Sequence, residues 1–189
     1  IVVAEIGCNH MGDINIAFEL IKIAKASGAN YAKFQKRNNK ELLSKSQYNL
    51  PHPNPVNSYG STYGEHREKL EFDIGTHKKL NDYCKKIKIG YATSVWDMTS
   101  AKEVALLEPD YIKIPSALNN NFKLLDYLIK NYNGNIHISF GMTYNDEIQK
   151  IYSLFESNKC LSRLVVYSCT SGYPVPPKDV CLLEIKRLQ

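Results

Sequence analysis

No apolar run in the sequence approaches the ~18 residues that a membrane-spanning helix needs, so no membrane partner is expected. Cysteine is sparse: the five cysteines are an odd number without a CxxC spacing, which argues against a disulfide framework and against a zinc cluster. Free thiols in a reducing compartment are the simplest interpretation. The start of the chain also lacks a signal peptide. Together these absences predict a cytoplasmic protein.

Concentrated charge is missing as well. The net charge of +5 is spread along the chain, and no RNP-like, zinc-finger or helix-turn-helix pattern occurs, so no nucleic-acid partner is expected. Basic blocks such as 85–88 are typical of solvated helix ends. The hydrophobic fraction of 43% and the charged fraction of 23% are ordinary for a globular protein, and 189 residues fit one domain.

Short β-prone apolar runs alternate with amphipathic helical patterns along the chain. The predicted strands cover 1–7, 31–35, 89–95, 111–115, 136–140 and 164–169. The predicted helices begin at the N-cap Asp13, near Thr76 and at a capping box formed by Ser100 and Glu103, and then cover 122–130, 145–156 and 179–188. Strict alternation of this kind predicts a parallel sheet with helical crossovers.

Two architectures satisfy that alternation. A doubly wound sheet would carry a glycine-rich phosphate loop after its first strand, but residues 7–12 contain only two glycines and no GxGxxG. Polar residues instead recur at the end of each predicted strand, as they do at the reacting face of a barrel. A (β/α)8 TIM barrel typically needs ~250 residues. We therefore expect a (β/α)8 barrel that is incomplete, with about six β-α units.

Two lysines interrupt apolar strands. Lys33 and Lys113 both stand among β-prone apolar residues, where a buried ammonium loses solvation unless an anion meets it. The pair predicts an anion-binding enzyme, although a lysine at a strand edge also snorkels to solvent in some proteins. Cys169 is either a nucleophile or, by the favoured interpretation, a small buried residue. His10 is interpreted as a loop former rather than a metal ligand.

Four motifs recur in order over essentially the whole chain: AEIGCNHMG at 4–12, KFQ at 33–35, KIPS at 113–116 and CTSGYP at 169–174. They resemble the sialic acid synthases, the N-acetylneuraminate synthase family with its legionaminate and pseudaminate relatives. The resemblance implies metal-dependent condensation of phosphoenolpyruvate with an N-acylated amino sugar such as N-acetylmannosamine. The products would be phosphate and a nine-carbon 2-keto acid of carbohydrate biosynthesis. A divalent cation, manganese or magnesium, is implied as cofactor.

The same resemblance implies roles for single residues. Those matching the phosphoenolpyruvate-binding positions are Lys33, Thr93, Lys113, Ser116 and Ser171. Those on the sugar side are Glu5, which would act near the reacting carbon, Tyr173 and, through a loop alignment, Asn57. Each has a plainer interpretation, since Glu5 would also pair with Lys33, hydroxyls suit strand ends, and Tyr173 would brace a turn before Pro174.

The chain also departs from the family pattern. Leu118 stands where many members have a glutamate implicated in sugar-side chemistry. The family's metal-binding Ser-Asp-His-Thr and Glu-x-His-Phe motifs do not occur in 1–189, nor does the C-terminal antifreeze-like domain that completes the sugar site across a dimer. We therefore expect a synthase barrel domain over 1–189 that is truncated at its C-terminal end. It would be inactive alone, with its metal ligands missing, and homodimeric when full length.

Two other functions remain open. One is a Schiff-base aldolase with Lys113 or Lys33 as nucleophile. The other is a non-catalytic barrel fragment that binds an anion or a sugar. The segment 36–70, rich in Asn, Pro, Ser, Gly and Tyr, breaks the strand-helix rhythm and predicts a lid or binding loop. Its basic residues would either receive a phosphorylated sugar or form a solvated lid, so the acceptor stays open.

Overall fold

The computed structural model describes residues 1–189 as an α/β fold built on one sheet of six parallel strands. The strands are β1 (Val3–Gly7), β2 (Tyr31–Lys36), β3 (Gly90–Val95), β4 (Tyr111–Ile114), β5 (Asn135–Ser139) and β6 (Leu164–Tyr167). They are hydrogen-bonded in sequence order, each parallel to the next. The predicted parallel sheet with helical crossovers is confirmed.

The helices are α1 (Ile14–Ala26), α2 (Asn39–Leu42), α3 (Lys45–Tyr48), α4 (Tyr63–Leu70), α5 (Ile74–Ile87), α6 (Met98–Ala105), α7 (Phe122–Asn131), α8 (Asn145–Ser157) and α9 (Glu184–Leu188). Short 3₁₀ turns cover Pro55–Asn57, Ser116–Leu118, Leu161–Arg163 and Pro177–Asp179. None of the helices is both long enough and apolar enough to cross a membrane.

Helix α1 illustrates how the sequence sets the elements. The Asp13 side chain accepts a hydrogen bond from the Asn15 backbone N–H at 2.7 Å and so caps the helix as predicted. Its apolar face buries Ala17, Ile21 and Ala24. Gly28, at φ +83°, follows the helix end in a conformation that disfavours other residues.

The helices cover one face of the sheet with two apolar clusters. A cluster of 18 buried residues joins β3, β4 and β5 to α6, α7 and α8, and one of 11 joins β1, β2 and β3 to α1 and α5. Burial of this apolar surface provides the main driving force for folding. Because strand side chains alternate between faces, the opposite face is left to the interleaved polar residues.

The register aligns the residues of this helix-free face, most of them polar, in two rows. The first row runs across the sheet through Glu5, Lys33, Ala92, Tyr111 and Asn135. The second, two residues further along each strand, runs through Gln35, Ser94, Lys113, His137 and Val165. Both predicted lysines therefore lie on the helix-free face, one in each row.

The predicted capping box at Ser100 and Glu103 is wrong. The N-cap of helix α6 is Asp97, three residues before the predicted N-cap Ser100. The Asp97 carboxylate accepts a hydrogen bond from the Ser100 backbone N–H at 2.6 Å. The Ser100 hydroxyl donates to the same carboxylate at 2.8 Å. Glu103 instead pairs with the Lys36 ammonium at 3.0 Å, a contact between distant segments that local sequence does not encode.

Two further segments differ from prediction. The segment 36–70, predicted as a loop, contains α2, α3 and α4. Its ends are joined by Arg37, whose Nε donates to Glu71 Oε1 at 2.5 Å and whose backbone N–H donates to Glu71 Oε2 at 3.2 Å. The predicted helix 179–188 is α-helical only over Glu184–Leu188, since Pro177–Asp179 forms a 3₁₀ turn.

Candidate active site

A cavity of about 570 Å³ opens on the helix-free face, toward the carboxyl ends of the strands. Every strand or the loop after it contributes a polar side chain: Glu5, Lys33, Ser94, Lys113, Ser139 and Ser171. Carboxyl ends of parallel strands meet at one edge, so residues far apart in sequence converge there. The chain thus builds one polar pocket from six separate segments.

Lys33 is the most buried charge of the cavity. The residue is only 4% exposed, yet its Nζ lies 2.6 Å from Glu5 Oε2 and donates to Ser94 Oγ at 3.4 Å. The Glu5 side chain is 67% exposed. The carboxylate offsets part of the desolvation of the ammonium while remaining open to a ligand. The plainer interpretation, in which Glu5 pairs with Lys33, is thus observed and leaves the carboxylate accessible.

Lys113 is half-buried and lines the same cavity on β4, two strands away from Lys33 on β2. Burial lowers the pKa of Lys113, and the Lys33 ammonium lowers that pKa further, while the Glu5 carboxylate opposes the shift. Two ammonium groups that repel one another in a partly dry cavity favour binding of a multiply charged anion. The electrostatics are those of an anion site.

Gly141 allows two of the predicted hydroxyls to meet. Its backbone N–H donates to Ser116 Oγ at 3.1 Å. A Cβ at Gly141 would lie 2.6 Å from Ser171 Oγ and 2.8 Å from Ser116 Oγ, closer than real contacts allow. Ser116 and Ser171 therefore converge on the one position where the chain has no side chain.

A buried asparagine holds the same loops together. Asn119 is 2% exposed, and its Nδ2 donates to the Ser139 carbonyl at 2.9 Å and to Thr143 Oγ1 at 2.5 Å. These bonds join the loop after β4 to the loop after β5. Next to it, Leu118 is partly buried and packs against the larger apolar cluster, so this side chain supports the core.

Thr93 does not line the cavity. It is fully buried, and alternation places it on the helix side of β3 with Tyr91. Its neighbour Ser94 faces the lysines instead. The Thr93 hydroxyl, predicted to bind phosphoenolpyruvate, thus lies on the helix-covered face of the sheet. The adjacent Ser94 lines the cavity in its place.

The two sugar-side candidates outside the strands are placed differently. Tyr173 is fully exposed at the rim of the cavity, and its peptide bond to Pro174 is cis. Asn57 is exposed in the 3₁₀ turn Pro55–Asn57 and is not among the cavity-lining residues. The structure therefore unites Glu5 and Tyr173 with the lysines, but leaves Asn57 outside.

Several lining residues were not predicted as site residues: Gln35, Ser94, Trp96, Ser139 and Met142. The alternation of side chains between the two faces of a strand could have identified two of them. Gln35 lies two residues after Lys33, and Trp96 lies two residues after Ser94, so each shares a face with a residue of the pocket.

His10 forms a loop, as expected. Its Nδ1 accepts from the Gly12 backbone N–H at 3.1 Å, and its ring stacks on Phe72 at 4.0 Å between centroids. Burial lowers the pKa of His10 to about 4. The ring therefore stays neutral near neutral pH and serves the loop.

All five cysteines are free thiols. The favoured interpretation of Cys169 as a small buried residue is wrong, because the residue is exposed and lines the cavity. No group of three or more His, Cys, Asp or Glu side chains comes together to hold a metal ion. The residues described here thus do not form a site for the divalent cation.

The fold and cavity define an α/β barrel-type protein with a cationic ligand site at its strand ends. Residues 20–189 match the model of the NeuB family, and the chain belongs to that family. It is 34% identical over 191 residues to the N-acetylneuraminate-9-phosphate synthase of Mus musculus, covering 100% of this chain and 51% of that protein. It is 30% identical over 190 residues to the N,N'-diacetyllegionaminic acid synthase of Campylobacter jejuni, covering 100% of this chain and 57% of that one.

Among solved structures, the N-acetylneuraminic acid synthetase of Leptospira borgpetersenii superposes with a TM-score of 0.82 at 24% identity. The match covers 99% of this chain and 60% of that one, and supports the fold. The chain spans about half the length of the curated relatives it matches, as the 51% and 57% coverage of the mouse and Campylobacter enzymes illustrates.

Proposed function

We propose that the protein condenses phosphoenolpyruvate with an N-acylated amino sugar, giving phosphate and a nine-carbon sialic-acid-type 2-keto acid. The observation that carries the proposal is the convergence of Lys33 and Lys113 with four serine hydroxyls in one cavity. Membership of the NeuB family, with relatives named as synthases of N-acetylneuraminate 9-phosphate and of diacetyllegionaminic acid, supports the reaction class.

The anionic substrate accounts for the charge of the cavity. Phosphoenolpyruvate carries a phosphate and a carboxylate, and two ammonium groups on different strands would neutralise it from two sides. Hydroxyls of Ser94, Ser116 and Ser171 would donate to the remaining phosphate oxygens. Fixed donors of this kind stabilise charge as it shifts during reaction without having to reorganise.

The reaction requires one new carbon–carbon bond. The alkene carbon of phosphoenolpyruvate attacks the aldehyde carbon of the open-chain sugar, whose oxygen takes up a proton. Water adds at C2 and gives up one proton, which balances the proton taken up by the sugar oxygen. The C2–O bond to phosphate then breaks while the new C2 hydroxyl passes its remaining proton to the departing phosphate, which leaves the 2-keto acid. Glu5, exposed beside Lys33, would orient the aldehyde or the water and exchange the proton at its Oε atom.

The direct test is phosphate release by the full-length protein supplied with phosphoenolpyruvate and N-acetylmannosamine. We expect release that depends on both substrates and that falls at least 100-fold in Lys113→Met. A matched control is Lys150→Met, which removes an exposed lysine on α8 paired with Asp146 outside the cavity. Binding of phosphoenolpyruvate without turnover would instead support the non-catalytic alternative.

A Schiff-base aldolase is the second candidate, because burial and Lys33 lower the pKa of Lys113 and so increase its neutral, nucleophilic fraction. Borohydride in the presence of pyruvate would trap an imine on Lys113 if this reaction occurs. The synthase reaction forms no imine, so the absence of the adduct together with phosphate release favours condensation.

The divalent cation and the homodimer implied by the family resemblance remain proposals. Loss of phosphate release on chelation, and its return with manganese or magnesium, would support the cation. Light scattering on the full-length protein tests the dimer.

A further inference from the structure

A ring of hydrogen bonds joins the loop after β4 to the loop after β5. Asn119 Nδ2 donates to the Ser139 carbonyl at 2.9 Å and to Thr143 Oγ1 at 2.5 Å. Thr143 Oγ1 donates in turn to the Gly141 carbonyl at 2.9 Å, and the Gly141 N–H donates to Ser116 Oγ at 3.1 Å. The bonds thus start at one residue of the loop after β4 and return to another residue of the same loop.

The turn after β4 brings these two residues to one side. Ser116–Leu118 forms a 3₁₀ turn, and Asn119 follows it directly. Because a 3₁₀ helix has three residues per turn, side chains three positions apart lie on the same side of it. Ser116 and Asn119 therefore both face the loop after β5, while Leu118 packs against the larger apolar cluster.

The backbone of the loop after β5 is held in an unfavourable conformation. Met142 has φ +54°, in the left-handed region that a residue with a Cβ rarely adopts. Its side chain is 70% exposed, so apolar packing contributes little to holding it there. Such a conformation persists only where the surroundings fix it. The bonds on either side of Met142, at Gly141 and Thr143, provide that restraint, and the buried Asn119 anchors them.

The directions of these bonds leave one proton for a ligand. The Ser139 carbonyl only accepts, so the Asn119 atom that faces it is the amide nitrogen. The Thr143 hydroxyl uses its proton on the Gly141 carbonyl. Ser116 Oγ accepts from the Gly141 N–H, so its own proton is left for donation into the cavity that Ser116 lines. A donor fixed before binding stabilises an anion without having to reorganise.

We propose that Asn119 is a positioning residue for the anion site, a role that rests on the proposed function. By holding the loop after β5, Asn119 keeps the Gly141 N–H on Ser116 and so directs the Ser116 hydroxyl toward the phosphate of phosphoenolpyruvate. Asn119 is 2% exposed and is not among the cavity-lining residues, so it does not touch the substrate. Its effect on binding passes through Ser116.

A double-mutant cycle tests this role through phosphoenolpyruvate binding to the full-length protein, measured by calorimetry. Asn119→Ala and Ser116→Ala should each weaken binding about tenfold. The double variant should bind less than twofold more weakly than Ser116→Ala, because no hydroxyl is left for Asn119 to direct. The matched control is Asn120→Ala. Asn120 is exposed, and its Nδ2 donates to Glu147 Oε1 at 3.2 Å outside the cavity, so its loss should leave affinity within twofold.

Thr143 gives a second test that does not alter a buried amide. Thr143→Val removes the hydroxyl and should weaken phosphoenolpyruvate binding threefold to tenfold, whereas Thr143→Ser keeps the hydroxyl and should bind like wild type. If Asn119→Ala does not fold, this pair decides. Equal affinities of the two Thr143 variants, or a tenfold effect of Asn119→Ala in the Ser116→Ala background, would overturn the proposal. If wild-type protein binds no phosphoenolpyruvate, the proposed function fails, and the role of Asn119 fails with it.

Discussion

The Lys33 ammonium lies 2.6 Å from the Glu5 carboxylate, and the two side chains differ sharply in exposure. The lysine side chain is 5% exposed and the glutamate side chain 67%. A buried cation is thus paired with an anion that solvent and ligands still reach. Lys33 therefore keeps Glu5 as a charged partner when the cavity is empty, and its ammonium can also bind a substrate anion when the cavity is filled.

Glu5→Gln should therefore separate binding from turnover. Removing the carboxylate removes a negative charge next to the proposed anion, so affinity for phosphoenolpyruvate should be equal or higher. Phosphate release should fall about 100-fold if Glu5 exchanges a proton. Because the buried Lys33 ammonium loses its charged partner but can still donate to the glutamine amide oxygen, we expect the free energy of unfolding to fall by about 1–3 kcal/mol. Calorimetric binding and a phosphate assay check both; weaker binding in the variant would contradict this account of the pair.

The β3 hydroxyls offer a test of register. Ser94→Ala removes a donor that faces the lysines, and we expect phosphoenolpyruvate affinity to fall about threefold to tenfold, as for loss of one hydrogen bond. Thr93→Val keeps the shape of a fully buried side chain on the other face and should leave affinity within twofold. Isothermal titration calorimetry of both variants with phosphoenolpyruvate measures these affinities. A larger loss of affinity in Thr93→Val than in Ser94→Ala would mean that Thr93 contacts the ligand.

Gly141→Ala should weaken phosphoenolpyruvate binding because the cavity has no room for an added methyl group at this position. The new methyl would meet the Ser116 and Ser171 hydroxyls, and we expect these to be displaced at a cost of about 1–3 kcal/mol in phosphoenolpyruvate binding. Gly28→Ala is the matched control. Gly28 has φ +83° and no neighbour within 4 Å of an added Cβ, so it should lose about 1 kcal/mol of stability and no affinity. Equal phosphoenolpyruvate affinity in wild type, Gly141→Ala and Gly28→Ala would contradict the proposed convergence of Ser116 and Ser171 on the ligand.

Buried histidines should make the fold sensitive to acid. Burial lowers the pKa of His77 to about 3, and the pKa values of His10 and His137 to about 4. His77 Nδ1 lies 2.6 Å from the Tyr91 hydroxyl, and His137 Nδ1 lies 2.8 Å from the Tyr167 hydroxyl. Unfolded histidines bind protons at a pKa near 6.5, so the unfolded chain binds more protons than the folded chain between that value and about 3 to 4.

Stability should accordingly be complete above pH ~6.5 and fall as the pH drops toward 4. In His77→Gln, which keeps a polar partner for Tyr91 without a titrating ring, this decline should be shallower. Urea unfolding at a series of pH values measures the slope. An identical slope in wild type and variant would show that His77 does not contribute to the acid response.

Local sequence was sufficient for the strands and for helices such as α1, because apolar periodicity and the Asp13 cap are encoded within a few residues. It was also sufficient for Lys33 and Lys113, since a lysine inside an apolar strand is conspicuous. The choice between Thr93 and Ser94 required knowing which face of β3 each residue occupies. That depends on pairing with β2 and β4, which adjacent residues do not encode.

Contacts between distant segments explain the other differences. The start of α6 is fixed by Asp97, whose Oδ2 also accepts from the Asn38 backbone N–H at 2.7 Å. The short helices of 36–70 carry little apolar periodicity, and their placement depends on partners elsewhere, such as Glu41, which accepts from the Met98 N–H at 3.1 Å. Local sequence does mark the starts of α3 and α4, where Ser44 with Gln47 and Thr62 with Glu65 form capping boxes.

The Arg37–Glu71 bridge has a consequence for how this protein changes over time. It joins the two ends of the segment between β2 and α5, so this segment forms a loop whose ends are held together by an ion pair. The entropy of closing such a loop grows only slowly with its length. Natural variants should therefore differ in length at the exposed turn Pro55–Asn57, while Asn38 and Glu41, which bond the start of α6, are kept together with the sheet and its two lysines.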